Sequence, residues 1–128
     1  MRYLLMIYGN HAAWNALTKD EVDALVRAHE SVQKELTASG ELIDTKELAV
    51  DDAKVVRRSG GRPIVTDGPF TEGTQFVAGY YLIDCAGIER ATEIAGRFAE
   101  AEFAPIEVLP YRSNTVWDDA VWDDPRGA

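Results

Sequence analysis

A single α+β domain of order β-α-β-β-α-β, carrying one added hairpin, is predicted by three observations. Four strand-like runs, at residues 2–8, 41–48, 76–84 and 106–111, alternate with two amphipathic helical stripes that start near Lys19 and Ile88. At least two of those strands, 2–8 and 76–84, are apolar on both faces, so each must be covered on two sides. The chain has 128 residues, which fits one domain with a core of its own and needs no disulfide or metal to fold.

Arg2–Tyr8 is too short for a helix and ends at Gly9-Asn10; Tyr3, Leu5 and Ile7 share one face, Leu4 and Met6 the other. His11-Ala12-Ala13-Trp14 reads as a connection. Thr18 followed by Glu21 is a capping-box signature, so a helix starts at about Lys19. Its stripe is Val22, Leu25, Val26, His29, Val32, Gln33 and Leu36, and Ser39-Gly40 stops it. Glu41–Leu48 is the second strand. Ala53–Arg58 and Arg62–Thr66 flank Ser59-Gly60-Gly61 as a hairpin, with Arg57, Arg58 and Arg62 near its tip. These arginines are either a solvated tip or an anion site.

Val65–Gly73 follows, holding Asp67-Gly68-Pro69, which specifies a sharp turn: Asp67 bonds its own backbone, Gly68 is permissive and Pro69 fixes φ. Phe70 is placed to pin this turn to a core, and Glu72 adds a second carboxylate. The two acids either cap a structural loop or are held there for chemistry. Phe76–Asp84 is the strongest strand, with Gly79 admitting a close neighbour. Ile88, Ala91, Ile94, Ala95, Phe98 and Ala99 form the stripe of a second helix over 88–102, and Ile106–Tyr111 is a last strand that Pro110 marks as an end or an edge. Two helices cover one face of a four-stranded sheet, so the other face calls for a second copy packed sheet to sheet, a homodimer.

Hydrophobic residues make up 46% and charged residues 27%, the balance of a folded globular chain. A net charge of −9 argues against nucleic acid or an anionic membrane as partner, leaving a small molecule or a protein. Cys85 is the only cysteine and lies in an apolar run, where a buried, inert thiol is expected. No apolar run approaches the length of a membrane span and the start lacks a signal-like segment, so a cytoplasmic protein is expected. Neither a phosphate-binding glycine pattern nor a close ligand cluster around His11 and His29 is present, so no cofactor and no metal are assigned. On spacing alone His29 is either a satisfied core or interface histidine or a proton-transfer group. Residues 113–128 contain a near-repeat, Val116-Trp117-Asp118-Asp119 and Val121-Trp122-Asp123-Asp124, which either docks on a protein or frays.

With Met1–Tyr8, Asp67-Gly68-Pro69-Phe70-Thr71-Glu72, Gly79-Tyr80-Tyr81-Leu82 and Glu107-Val108-Leu109-Pro110 in this order, the chain resembles the YCII-related proteins, and within them the DGPF subgroup. The resemblance covers a domain of residues 1–112, outside which 113–128 is an acidic, tryptophan-bearing tail. It implies a ferredoxin-like fold and a dimeric α/β barrel. A histidine in the first helix recurs in the wider family, and His29 matches its place. Wider relatives are proposed to pair a histidine with an aspartate for acid–base chemistry, and one branch resembles enzymes that eliminate chloride from hydroxylated aromatics. Other DGPF proteins are associated with sigma factors of the extracytoplasmic type. The sequence departs from the subgroup at Thr74-Gln75, where a Lys-Glu pair is usual, and at Ala99–Phe103, where a proline-containing turn is usual. No acidic partner is assigned from that second segment.

Two readings result. In the first the protein is a cofactor-independent enzyme for elimination or isomerisation, with His29 as general acid or base, Asp67 or Glu72 as its carboxylate, and a pocket lined by Phe76, Tyr80 and Tyr81. In the second it is a ligand-binding or regulatory protein whose tail meets a protein partner, a basic surface suiting the net charge.

Overall fold

A computed structural model describes residues 1–70 and 75–112. Its main sheet has four antiparallel strands: β1 (Arg2–Asn10), β2 (Leu42–Glu47), β5 (Gln75–Asp84) and β6 (Ile106–Pro110), in the order β2-β5-β1-β6. Counted within this sheet the order is second, third, first, fourth, which is compatible with a ferredoxin-like arrangement. The register sets Leu4 opposite both Leu82 and Leu109, and Leu5 opposite Tyr81 and Val108. One sheet face therefore gathers Tyr3, Leu5, Ile7, Tyr81 and Ile83, all buried.

That face is covered by α2 (Lys19–Ser39) and α3 (Ile88–Ala95). The α2 start is the expected capping box: Thr18 Oγ1 accepts from the Glu21 N–H at 3.2 Å, and Glu21 Oε1 accepts from the Thr18 N–H at 3.0 Å. Gly40 closes the helix at φ 80°, a left-handed cap that glycine adopts without strain. With its ends so placed, the stripe turns Leu25, Val32 and Leu36 inward, where Val32 and Leu36 join Ala91, Ile94, Ala95 and Phe98 in one core. Arg90 of α3 grips Glu41 with two hydrogen bonds, Nε to Oε2 at 3.0 Å and Nη2 to Oε1 at 2.9 Å, tying α3 to the entry of β2. Cys85 is buried. Leu4, Met6, Leu82 and Leu109 are only half-buried, on the face away from the helices.

The hairpin forms a separate two-stranded sheet of β3 (Lys54–Ser59) and β4 (Arg62–Asp67). Gly60 and Gly61 take φ 59° and 79°, the paired left-handed conformation that a tight two-residue hairpin turn demands.

Three expectations are corrected. His11–Asn15 is a short helix, α1, rather than a bare connection, because Asn10 Oδ1 caps it by accepting from the Ala13 N–H at 3.1 Å. The second helix does not run to residue 102: α3 stops at Ala95 with Gly96 as its cap, and the chain resumes as a 3₁₀ turn at Ala99–Glu102. Phe70 does not anchor its turn in a core; it is 70% exposed, with the Arg57 guanidinium 5.6 Å above its ring, because the turn lies on the hairpin side of the molecule. Gly79 does admit a close neighbour: a Cβ there would sit 2.8 Å from the Lys46 carbonyl oxygen of β2.

Candidate functional site

The site begins with His29, four residues past Leu25 and three before Val32 on the buried stripe of α2, which aims its ring at the sheet. On the sheet side Tyr81 points to the helices, as the alternation of β5 between Gly79, Tyr81 and Ile83 requires. The third member, Glu100, is carried back over α2 by the 3₁₀ turn after α3. That turn is pinned by buried Phe98 on one side and by Ala104 N–H donating to the Glu100 carbonyl at 2.8 Å on the other. The imidazole stacks on Phe98 at 4.8 Å between ring centroids and lies 5.8 Å from the Tyr81 ring.

Both ring nitrogens are engaged. His29 Nε2 is 2.6 Å from Glu100 Oε2, with side-chain exposures of 18% and 10%, and Nδ1 is 2.8 Å from the Tyr81 hydroxyl. Gln33 donates through Nε2 to that hydroxyl at 2.9 Å. Because an amide N–H only donates, the Tyr81 proton is left for another acceptor. In the neutral imidazole that acceptor is Nδ1, and Nε2–H then donates to the Glu100 carboxylate. Nearby, the Thr45 hydroxyl donates to the Tyr80 carbonyl at 2.9 Å. In the imidazolium both nitrogens donate, Nε2 to Glu100 and Nδ1 to the Tyr81 oxygen, whose own proton then turns away from the ring. The network thus accommodates either protonation state of the ring. Burial pushes the Tyr81 phenol above its ordinary pKa, although the Gln33 and Thr45 hydrogen bonds oppose this, so it remains a neutral hydroxyl at neutral pH. Glu100 Oε1 is buried without a hydrogen-bond partner among the described residues.

These groups form part of the wall of a cleft of about 850 Å³ between α2, the α1 segment and the β2 and β5 ends of the sheet. His29, Phe76, Tyr80 and Tyr81 all border it, and so do His11 and Trp14, which the sequence left without a role. Phe76 packs under His11 with ring centroids 4.3 Å apart. Tyr80 borders the cleft, but alternation turns its ring to the other sheet face, where its hydroxyl donates to Asp44 Oδ2 at 2.6 Å. That hydrogen bond is the main cause raising the Tyr80 phenol above its usual value.

Asp67 is not brought to His29. It ends β4, is 86% exposed, pairs with Lys54 Nζ at 2.5 Å and does not border the cleft. Glu72 lies outside the described residues, as does the 113–128 tail. The carboxylate beside His29 is Glu100, which the sequence reading passed over because a helix continued to 102 turns Glu100 off its own apolar stripe. Gly96 was the available signal that the helix stops and the phase is lost. Gln33 was visible on the stripe of α2 but without its role as donor to Tyr81. Among the described residues no cluster of three or more histidine, cysteine or acidic side chains is arranged to hold a metal ion, and no helix is long and apolar enough to cross a membrane.

Two comparisons bear on this site. The model of the YCII-related domain matches residues 1–113. An uncharacterized protein of Rhizobium meliloti is 32% identical over 102 residues, covering 79% of this chain and 82% of that protein.

Proposed function

The chain belongs to the YCII-related family, and we propose that it is a cofactor-independent proton-transfer enzyme acting on a small molecule held in the α2 cleft. The observation that carries this reading is the His29–Glu100 pair, 2.6 Å apart and mostly shielded from water at the cleft wall. Histidine is the side chain suited to taking up and releasing a proton at neutral pH, and a carboxylate against it stabilises the imidazolium that forms.

Catalysis requires one of the two ring contacts to open. The Nε2 contact is the one that yields, because Glu100 sits on a single 3₁₀ turn whereas Tyr81 is held mid-strand between β1 and β2. A substrate group then meets Nε2 while Tyr81 keeps hold of Nδ1. With the Tyr81 proton directed to Nδ1, Nε2 carries the proton and acts as acid. With that proton turned away from the ring, the imidazole carries its own proton on Nδ1, which donates to the Tyr81 oxygen, and Nε2 acts as base. The freed Glu100 carboxylate serves as the second proton-transfer group, in the reaction class of elimination or isomerisation beside a carbonyl or on a hydroxylated aromatic. The half-buried Leu4, Met6, Leu82 and Leu109 support a second copy packed on the open sheet face, as in a dimeric α/β barrel.

The test is solvent deuterium exchange, followed by NMR, into a panel of small carbonyl compounds and hydroxylated aromatics. Exchange above background, lowered at least a hundredfold in both His29→Gln and Glu100→Gln, is the expected outcome. No exchange beyond that of the His29→Gln protein for any compound overturns the reading. A non-catalytic binding protein is favoured by one observation, that both imidazole nitrogens are satisfied in the free protein. It predicts panel compounds that bind without exchanging.

A further inference from the structure

The cleft wall carries more negative charge than the His29–Glu100 pair uses. Besides Glu100 it holds Glu30, one residue past His29 on α2, Glu47 at the end of β2, and Asp51 and Asp52 on the 3₁₀ turn Val50–Asp52. Those four are exposed, and among the described residues none of their carboxylates takes part in an ion pair or a hydrogen bond. Lys46 is the one lysine on the wall, its Nζ held by Asp44 Oδ1 at 2.5 Å, and no arginine of the described residues borders the cleft. With both histidines neutral, five carboxylates stand against one lysine, a net −4.

The buried acid of this wall points the same way. The Glu100 side chain is 10% exposed, and its Oε1 has no hydrogen-bond partner among the described residues, so it gains from a donor or a positive charge brought beside it. Apolar surface lies alongside the acids: Trp14, Val26 and Leu48 all border the cleft, and they are 44%, 45% and 40% exposed. An indole face also attracts a cation. A metal ion does not fit, because among the described residues no three histidine, cysteine or acidic side chains are arranged to hold one. Charges of one sign around a cleft focus their field into it, so an anion is repelled and an organic cation with an apolar body is drawn in.

We propose that the substrate of the α2 cleft is an organic cation, an aromatic or carbonyl compound bearing an ammonium group. The Glu30, Glu47, Asp51 and Asp52 carboxylates attract its charge, and Trp14, Val26 and Leu48 cover its apolar body. This rests on the reading of the cleft as a small-molecule site and adds the sign of the charge: substrates that carry a carboxylate, a sulfonate or a phosphate are excluded.

Three acetophenones of matched shape test it, carrying at the para position a trimethylammonium, a tert-butyl or a sulfonate group. Dissociation constants are read by NMR titration of the Trp14 and Leu48 backbone amides on the cleft wall. The cation should bind at least about tenfold more tightly than the sulfonate at low salt. That ratio should shrink in 0.5 M salt, where the Debye length falls to about 4 Å, while the tert-butyl compound changes little. In the triple variant Glu47→Gln, Asp51→Asn, Asp52→Asn the ratio should fall at least about threefold. The triple variant Asp20→Asn, Asp23→Asn, Glu89→Gln removes the same charge away from the cleft and should keep the ratio. All six positions are exposed, so circular dichroism of both variants is expected to match wild type. A smaller ratio in wild type, no binding of the cation, or an equal fall in both variants would each overturn the proposal. Deuterium exchange into the acetyl methyl group separates this proposal from the proton-transfer reading. A cation that binds preferentially without exchanging supports the charge assignment and counts against proton transfer, whereas exchange fastest in the sulfonate overturns the charge assignment and leaves proton transfer standing.

Discussion

Removing the Tyr81 hydroxyl isolates the polar network from the packing around it. In Tyr81→Phe the ring stays in the core beside Phe98, 4.6 Å between centroids, so apolar burial is nearly unchanged. What disappears is the acceptor for Gln33 Nε2 at 2.9 Å and the partner of His29 Nδ1 at 2.8 Å. Each such bond contributes a net of about 0.5–1.5 kcal/mol, and two are lost. Rehydration from the cleft recovers part, because Gln33 and His29 are only half-buried. The expected loss is therefore about 1–2.5 kcal/mol by urea denaturation, with the denaturant slope unchanged. Gln33→Met should cost less in the Tyr81→Phe background than in wild type, a coupling on the order of 1 kcal/mol, since both changes remove one shared bond. Imidazole ¹⁵N shifts give an independent readout. The donor order from Gln33 through Tyr81 to Nδ1, together with the Glu100 carboxylate at Nε2, makes Nε2–H the neutral tautomer of the wild type, and in the phenylalanine variant the Nδ1 resonance should move as that nitrogen loses its donor. A loss below about 0.5 kcal/mol together with an unchanged ¹⁵N pattern would refute the donor order, and with it the account of how Tyr81 sets the proton on His29.

Two further outcomes follow from the frame that holds the site. The Arg90 hydrogen bonds hold the Glu41 carboxyl below its ordinary value; a carboxyl depressed by folding contributes stability that is complete above the unfolded value and is lost as pH falls through the folded one. Urea denaturation at pH 6 and pH 3.5 should therefore show a smaller acid loss for Glu41→Gln than for wild type, by about 1–2 kcal/mol, and an equal loss in both would remove Glu41 from the acid sensitivity. Gly79→Ala places a Cβ 2.8 Å from the Lys46 backbone oxygen, so β2 and β5 must part at a cost of about 1–3 kcal/mol, whereas Gly9→Ala meets the Phe76 ring at 2.7 Å, a side chain that can swing. Thermal denaturation should rank Gly79→Ala well below Gly9→Ala, and the reverse ranking would mean that the β2–β5 spacing is not fixed at Gly79.

Most of the fold was legible because its signals are local and agree with one another. The Thr18–Glu21 box, the Gly40 stop, the two-sided apolar pattern of β1 and β5 and the Ser59-Gly60-Gly61 turn each depend on a few adjacent residues, and each stands where periodicity put it. Asn10 as a cap was missed because it also closes a strand, and one side chain gave two readings.

The site was only half legible, for a reason particular to its carboxylate. His29 could be found from the helical phase of α2, because an unbroken helix carries its phase from Thr18 to Gly40. Glu100 could not be found that way, since the phase of α3 is lost at Gly96 and the chain resumes as a 3₁₀ turn whose direction depends on where Phe98 is buried. Asp67 looked the better partner because its turn chemistry fixes the backbone, but fixing a backbone says nothing of which surface the turn stands on. The hairpin that ends in Asp67 forms its own sheet, and its acid pairs with Lys54, thirteen residues earlier on the adjacent strand. A local signal thus located the strongest turn in the chain, whereas the His29 carboxylate comes from 71 residues away through a core contact that no local pattern encodes.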